Sequence, residues 1–234
     1  SLIKLPFRLL SYDFAISELN KRDNFSIKGK WGVEHKIKSF NSKGSLPDML
    51  YDLTSTQNVT YTSEFRELYI SIMTASSELR IGKQIHTWGN VDENSPIDNA
   101  SSLDYYYLFF GGIERKMSTL SVALDYYLGD LKFNTIFSPV HATNRIPLGD
   151  DDFPIELPVY PQSSEILPIQ GHPYEGGIYG TLSTSLGDIS ASYFSGYDRT
   201  FNLTGINVYG RGSDISFPYV DIVYSYRKTD VIGI

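Results

Sequence analysis

The chain has 234 residues, a formal net charge of −7, no cysteine and an aromatic fraction of 14 %. The acidic balance argues against nucleic-acid binding, which needs a basic patch, and the absence of Cys excludes disulfides and thiolate metal sites. No apolar run approaches the ~18 residues of a membrane-spanning helix, although closed β-barrels cross membranes without one.

Alternation of apolar and polar residues recurs along the chain and predicts strands. Eight strands are expected, at 25–39, 64–75, 78–89, 116–128, 131–142, 176–186, 189–201 and 218–230. Each reaches the ~9–11 residues that a tilted strand needs to cross a bilayer.

The connections between these strands alternate in length. Tight turns are predicted at 75–78, at Gly129-Asp130 and at Gly187-Asp188, where glycine supplies the positive φ of a hairpin turn. The remaining connections are long, at 40–63, 90–115, 143–175 and 202–217. This rhythm is typical of outer-membrane barrels, whereas a soluble sandwich mixes its loop lengths.

The sequence therefore predicts an all-β fold, an antiparallel up-and-down transmembrane β-barrel. We expect residues 1–24 to form an N-terminal periplasmic or lumenal segment and residues 25–234 to form the strands and long external loops. The first seven residues lack a signal-peptide core, so the expectation is a mature chain exported to the bacterial outer membrane after signal-peptide removal.

Each predicted strand has an apolar face and a polar face. Leu120, Val122 and Leu124 share one face, and Leu79, Ile81 and Lys83 share another. In a barrel the apolar set faces lipid and the polar set a wet lumen. In a soluble sandwich the same apolar set would face a core, so alternation alone does not choose.

Basic residues predominate on the expected lumen face. Lys28, Lys30 and Lys36 lie on the first strand, and Arg80, Gln84 and His86 lie on the third. A lining of one sign concentrates the opposite ion, which favours anionic or polar solutes. The alternative is an ordinary solvated face.

Loop 90–115 is a candidate constriction. It carries Asp98 and Asp104 and continues into an aromatic and aliphatic run that starts at Tyr105. Such a run is costly to expose to water, which favours a loop folded into the lumen. The alternative is a loop packed on the rim by its aromatics.

One hairpin carries a recognisable motif. Residues 79–89 read Leu-Arg-Ile-Gly-Lys-Gln-Ile-His-Thr-Trp-Gly, and a Ser-Pro-Ile-Asp stretch follows at 95–98. This resembles a family of Gram-negative outer-membrane porin-like proteins, similar to alginate-export and phosphate-selective porins, whose hairpin reads Leu-Arg-x-Gly-(Arg/Lys)-Gln-x3-Trp-Gly. Gly82, Trp88 and Gly89 are the matching positions. Leu103 departs from it, standing where a second loop proline is usual.

The resemblance implies contact with the lipid bilayer and lipopolysaccharide, and with the barrel-assembly machinery during biogenesis. Members have more than eight strands, and the chain ends at Ile234 without their terminal aromatic signature. We therefore expect an N-terminal portion of a larger barrel. Alternatively the barrel closes at eight strands and side chains fill its interior.

Catalytic and metal-binding patterns are missing from the sequence. His35, His86, His141 and His172 share no ligand spacing, and no nucleophile elbow occurs. The run 150–152 could hold Ca²⁺, but a solvated acidic loop is the preferred interpretation. We expect no enzyme activity, no metal and no cofactor.

The expected function is a porin-like channel for passive passage of small polar or anionic solutes. The first alternative is a structural barrel that docks a partner protein or a second copy of the chain. The second is a soluble all-β binding module.

Overall fold

The architecture is that of a computed structural model. It describes residues 9–16, 24–35, 55–57, 61–89, 95–107, 115–146, 165–209 and 219–234. In these residues the regular structure is β-strand, apart from one turn of 3₁₀ helix at Tyr105–Tyr107.

The strands are numbered in chain order. They are β1 Leu9–Ile16, β2 Phe25–His35, β3 Ser55–Gln57, β4 Tyr61–Met73, β5 Ser77–Gln84, β6 Ser102–Leu103, β7 Lys116–Met117, β8 Thr119–Leu128, β9 Leu131–Ser138, β10 Ile166–Leu167, β11 Glu175–Thr184, β12 Gly187–Tyr197, β13 Asn202–Tyr209, β14 Tyr219–Ser225 and β15 Lys228–Gly233.

Most of these strands form one large antiparallel sheet. Its order is β1-β2-β4-β5-β8-β9-β11-β12-β15, with β3 added beside β4. Two small sheets lie outside it, β10-β14-β13 and β6-β7. The predicted all-β class and antiparallel order are therefore confirmed. Among the described strands no pairing joins β1 to β15, so an extended sheet is shown rather than a closed barrel.

The sheet begins earlier in the chain than expected. β1 pairs with β2 from Leu9 opposite Glu34 to Ile16 opposite Ile27. Part of the predicted N-terminal segment 1–24 is thus the first strand of the sheet.

The last expected strand, 218–230, is divided in two. β14 pairs with β13 in the small sheet, whereas β15 returns to the main sheet beside β12. The expected loop 202–217 therefore contains a strand, because β13 and β14 form a hairpin that leaves the main sheet between β12 and β15.

The predicted alternation of short turns and long loops is present. Leu128 pairs with Leu131 across Gly129-Asp130, and Gly129 has a φ of 59°. In the β11–β12 hairpin the turn is Ser185-Leu186 rather than Gly187-Asp188, because pairing resumes at Gly187. The short turns lie at one end of the sheet, called here the turn end, and the long connections at the other, called the loop end.

The two faces of the main sheet differ in solvent exposure, and the apolar face is the more exposed one. On β8, Leu120, Val122 and Leu124 are 38–41 % exposed, whereas Ser121, Ala123 and Asp125 are 0–4 % exposed. The apolar face is thus open and the polar face is covered, the reverse of a water-soluble sheet.

The alternation shifts at Gly82. Ile81 is exposed, but Lys83 and Gln84 are both buried. Gly82 has a φ of 139°, which L side chains rarely adopt. Lys83, expected beside Ile81, instead lies 3.8 Å from Glu64 in an ion pair.

Replacing Gly82 by Ala should destabilise the β4–β5 pairing. A Cβ atom at Gly82 would lie 2.4 Å from the Leu68 carbonyl oxygen, and backbone strain of this kind costs roughly 1–3 kcal/mol. The midpoint of thermal unfolding measures the effect. Gly205→Ala is the control, since a Cβ atom there meets nothing within 4 Å. Equal midpoints for the two variants would contradict the close approach at Gly82.

Candidate functional site

The centre of the covered face is Trp88, which is 1 % exposed. Its ring stacks on Tyr179 at a centroid distance of 6.0 Å and meets Phe194 edge-on at 6.0 Å. Gly177 leaves room for it, because a Cβ atom there would lie 2.6 Å from the indole. Trp88, the motif tryptophan, therefore reaches from the end of β5 across the sheet to β11 and β12.

Residues 95–107, called here the covering segment, lie against this cluster. Ala100 is 3 % exposed within it, and Ile97 packs on its side. The covering segment is the larger described part of loop 90–115. It covers the part of the polar face around Trp88.

A chain of polar side chains runs across the covered face below Trp88. The Trp88 Nε1 donates to Asn134 Oδ1 at 2.6 Å, and Asn134 Nδ2 donates to Asp125 Oδ1 at 2.7 Å. Arg80 closes the chain, with its guanidinium 2.8 Å from Asp125 Oδ2. Buried polar groups need such partners, because an unpaired one costs free energy.

A second polar cluster lies at the loop end, around Glu175. This carboxylate accepts a hydrogen bond from Arg199 at 2.7 Å and from the Tyr197 backbone N–H at 3.0 Å, and it lies 2.9 Å from His141 Nδ1. Arg199 also donates to the carbonyl oxygen of Asn99 at 2.8 Å. Arg199 thus fastens the covering segment to β11 and β12.

The acidic residues of the covering segment are held by basic partners. Asp98 forms an ion pair with Lys116, and Asp104 lies 2.9 Å from Arg145. The Tyr105 backbone N–H donates to the Arg145 carbonyl oxygen at 2.9 Å. The three residues predicted for the constriction are thus placed by contacts that fix the covering segment.

His86 is buried just beyond the end of β5. Its Nε2 lies 2.8 Å from Ser121 Oγ, and its backbone N–H donates to Ser101 Oγ at 3.0 Å. Burial lowers the pKa of His86 to about 3, and the nearby charges of Arg80 and Arg199 act in the same direction. The imidazole is therefore neutral near pH 7.

Of the other residues predicted to line the lumen, Lys28 and Lys30 are half-buried and Gln84 is fully buried. Lys28 and Lys30 pair with Tyr69 and Glu67 across β2 and β4, which places them on the polar face and half-buried. Gln84 is 0 % exposed, with its amide donating to the Ser121 carbonyl at 3.1 Å. Lys36 lies outside the described residues, as does the acidic run 150–152. Gly89 has a φ of 90° where the chain leaves Trp88.

Sequence reasoning did not single out Arg199, Glu175 and Asn134. They lie far apart in the chain and belong to no motif, so spacing carried no signal for them. Alternation with Leu124 is enough to assign Asp125 to the polar face, but its partners follow only from strand order.

Two polar cavities lie at the loop end. One has a volume of about 310 Å³ and the other about 270 Å³. Both are lined by Asn99, Asn144 and Arg199. In the part of the chain that the structure describes, no group of three or more His, Asp or Glu side chains could hold a metal ion.

No family model, curated protein or solved structure matches this chain. Among the described residues, no helix is long and apolar enough to cross a membrane.

Replacing Arg199 by Met should release the covering segment. The change leaves Glu175 buried without its guanidinium partner, and breaking such a pair typically costs about 3–5 kcal/mol. Faster hydrogen exchange of residues 95–107 is the expected result. Arg227→Met is the matched control, because Arg227 pairs with Asp198 at 3.4 Å with its side chain 72 % exposed. Unchanged exchange in Arg199→Met would show that other contacts hold the segment.

Proposed function

We propose that this chain forms the wall of a porin-like β-barrel in a bacterial outer membrane and allows passive passage of small polar solutes. One observation carries the proposal: the main sheet exposes its apolar face and covers its polar face. The exposed apolar residues on this face are Leu68, Ile70, Ile72, Ile81, Leu120, Val122, Leu124, Leu128, Phe137, Ile178, Leu182, Ile189 and Ile232.

A continuous apolar surface of this kind is unfavourable in water. Each Å² of apolar surface left in water costs about 25 cal/mol, and soluble monomers rarely expose large contiguous patches. Lipid removes the penalty. The soluble binding module expected as an alternative would instead place these side chains in a core.

Five strands of the main sheet are long enough for a bilayer-spanning wall. β4 has 13 residues, β2 and β12 have 11, and β8 and β11 have 10, against the ~9–11 residues of a tilted spanning strand. β1, β5 and β9 are shorter, at 8 residues, and β15 has 6. Short turns at one end and long connections at the other fit periplasmic and extracellular ends. Under this proposal lipid contacts the apolar face, and lipopolysaccharide surrounds the loop end.

The alternative of a structural barrel has one observation in its favour. From β5 to β12 the polar face is packed with buried side chains, and residues 95–107 cover the part of it around Trp88. A barrel filled in this way would hold a partner rather than conduct. Conductance in planar bilayers separates the two functions.

Single-cysteine labelling tests the lipid-facing side directly, because the chain has no native Cys. Spin labels at Leu124→Cys and Ile178→Cys, reconstituted in lipid vesicles, should be more accessible to oxygen than to a water-soluble nickel complex. Thr204→Cys on the exposed hairpin strand β13 is the control and should show the opposite order. Labels at Leu124 and Ile178 that are more accessible to the nickel complex than to oxygen would contradict the membrane assignment. A monomer that is stable without detergent would contradict it as well.

The basic residues on β2 are expected to set ion selectivity. Lys28→Glu combined with Lys30→Glu reverses the charge on this part of the polar face, so the reversal potential in a salt gradient should shift toward cation preference. Lys28→Arg with Lys30→Arg keeps the charge and is the control. Identical reversal potentials for the two double variants would remove these lysines from the conduction path.

A further inference from the structure

The two loop-end cavities meet at one group of side chains. Asn99, Asn144 and Arg199 line both, with the larger cavity on the side of Thr200 and Asn202 and the smaller on the side of Lys116. Their shared wall lies where the covering segment crosses to β12. Under the proposed channel function, a solute moving along the polar face at this end would pass these three residues.

The charges around both cavities are compensated. Arg199 is paired with Glu175, Lys116 with Asp98, and Asp198 with Arg227. An opposite charge held this close cancels most of the field that would attract or repel an ion from a distance. The walls therefore discriminate by hydrogen bonding more than by charge.

The uncharged lining groups both donate and accept hydrogen bonds. Asn144 Nδ2 donates to Thr200 Oγ1 at 3.0 Å, and its Oδ1 accepts from the Leu103 backbone N–H at 2.8 Å. The Asn99 amide donates to the Pro96 carbonyl at 3.2 Å. A side-chain amide has two N–H donors and an oxygen with two lone pairs, so these contacts orient each amide and leave capacity for a ligand.

We propose that the larger cavity, together with this shared wall, is a binding subsite for uncharged polyhydroxylated solutes of about the size of a monosaccharide. Sugar hydroxyls also donate and accept, so they match amide and hydroxyl side chains better than an ion does. The larger cavity, at about 310 Å³, falls at the lower end of the range of small-molecule pockets, which begins near ~300 Å³. The subsite rests on the proposed channel function and gives it a substrate class.

The test is current block in planar bilayers with glucose as the probe. Glucose should reduce single-channel current in a saturable manner, and gluconate and glucosamine, which add a charge to a similar frame, should block less. Asn99→Leu combined with Thr200→Val replaces polar groups by apolar ones of similar size. This double variant should raise the half-blocking glucose concentration by about ten-fold, as expected for the loss of one or two hydrogen bonds.

Controls separate this inference from the channel function itself. Thr204→Val, a matched Thr→Val change on β13 outside both cavity linings, should leave glucose block unchanged. Asn202→Leu, at an exposed position of the larger cavity, gives the same test if the double variant fails to fold. Conduction without glucose block, equal block by the variants, or stronger block by a charged sugar would overturn the subsite. A folded protein that does not conduct would instead overturn the channel.

Discussion

The structure depends on hydrogen-bond partners for the polar side chains on the covered face of the main sheet. When a sheet exposes its apolar side and buries its polar side, the buried hydrogen-bonding groups need partners, because an unpaired one costs free energy. On the strands, Asp125 is the central acceptor. One of its carboxylate oxygens accepts a hydrogen bond from Arg80 and the other accepts one from Asn134. Trp88 extends the same chain into the aromatic cluster, so hydrophilic strands and hydrophobic packing are joined at one indole.

The covering segment follows from that constraint. Its small and apolar residues fill the space over Trp88, while its acids meet basic residues from outside it. Arg199 links it to Glu175 at the loop end. The polar face is therefore divided into a packed middle around Trp88 and cavities at the loop end.

Much of the fold was predictable, and the reasons are local. Alternation on β8 and the Gly129-Asp130 turn are fixed by neighbouring residues, so strand position and hairpin register could be read from them. β1 was missed although Leu10, Tyr12, Phe14 and Ile16 alternate with smaller or polar residues. The break at Tyr226-Arg227 was missed because strand propensity continues through it.

The candidate site was less predictable, because it depends on long-range placement. Polar residues could be assigned to a face, but not to partners on strands whose order was unknown. Gln84 and His86 were expected to line a wet lumen, and both are buried, because the depth of the covering segment is a tertiary property. Lys83 was also hard to place from the sequence. Alternation puts it on the apolar face with Ile81, but the positive φ at Gly82 shifts the alternation and Lys83 is buried.

The contact between Arg199 and Asn99 joins residues 100 positions apart, whereas the short turns join strands that adjoin in sequence. The entropy lost on closing a loop grows with its length, and local contacts form fastest. Hairpins such as β8–β9 can therefore assemble before residues 95–107 are fastened. Until Arg199 reaches Asn99, this contact to residues 95–107 is missing, so we expect water on the polar face to be displaced only when that segment closes over it.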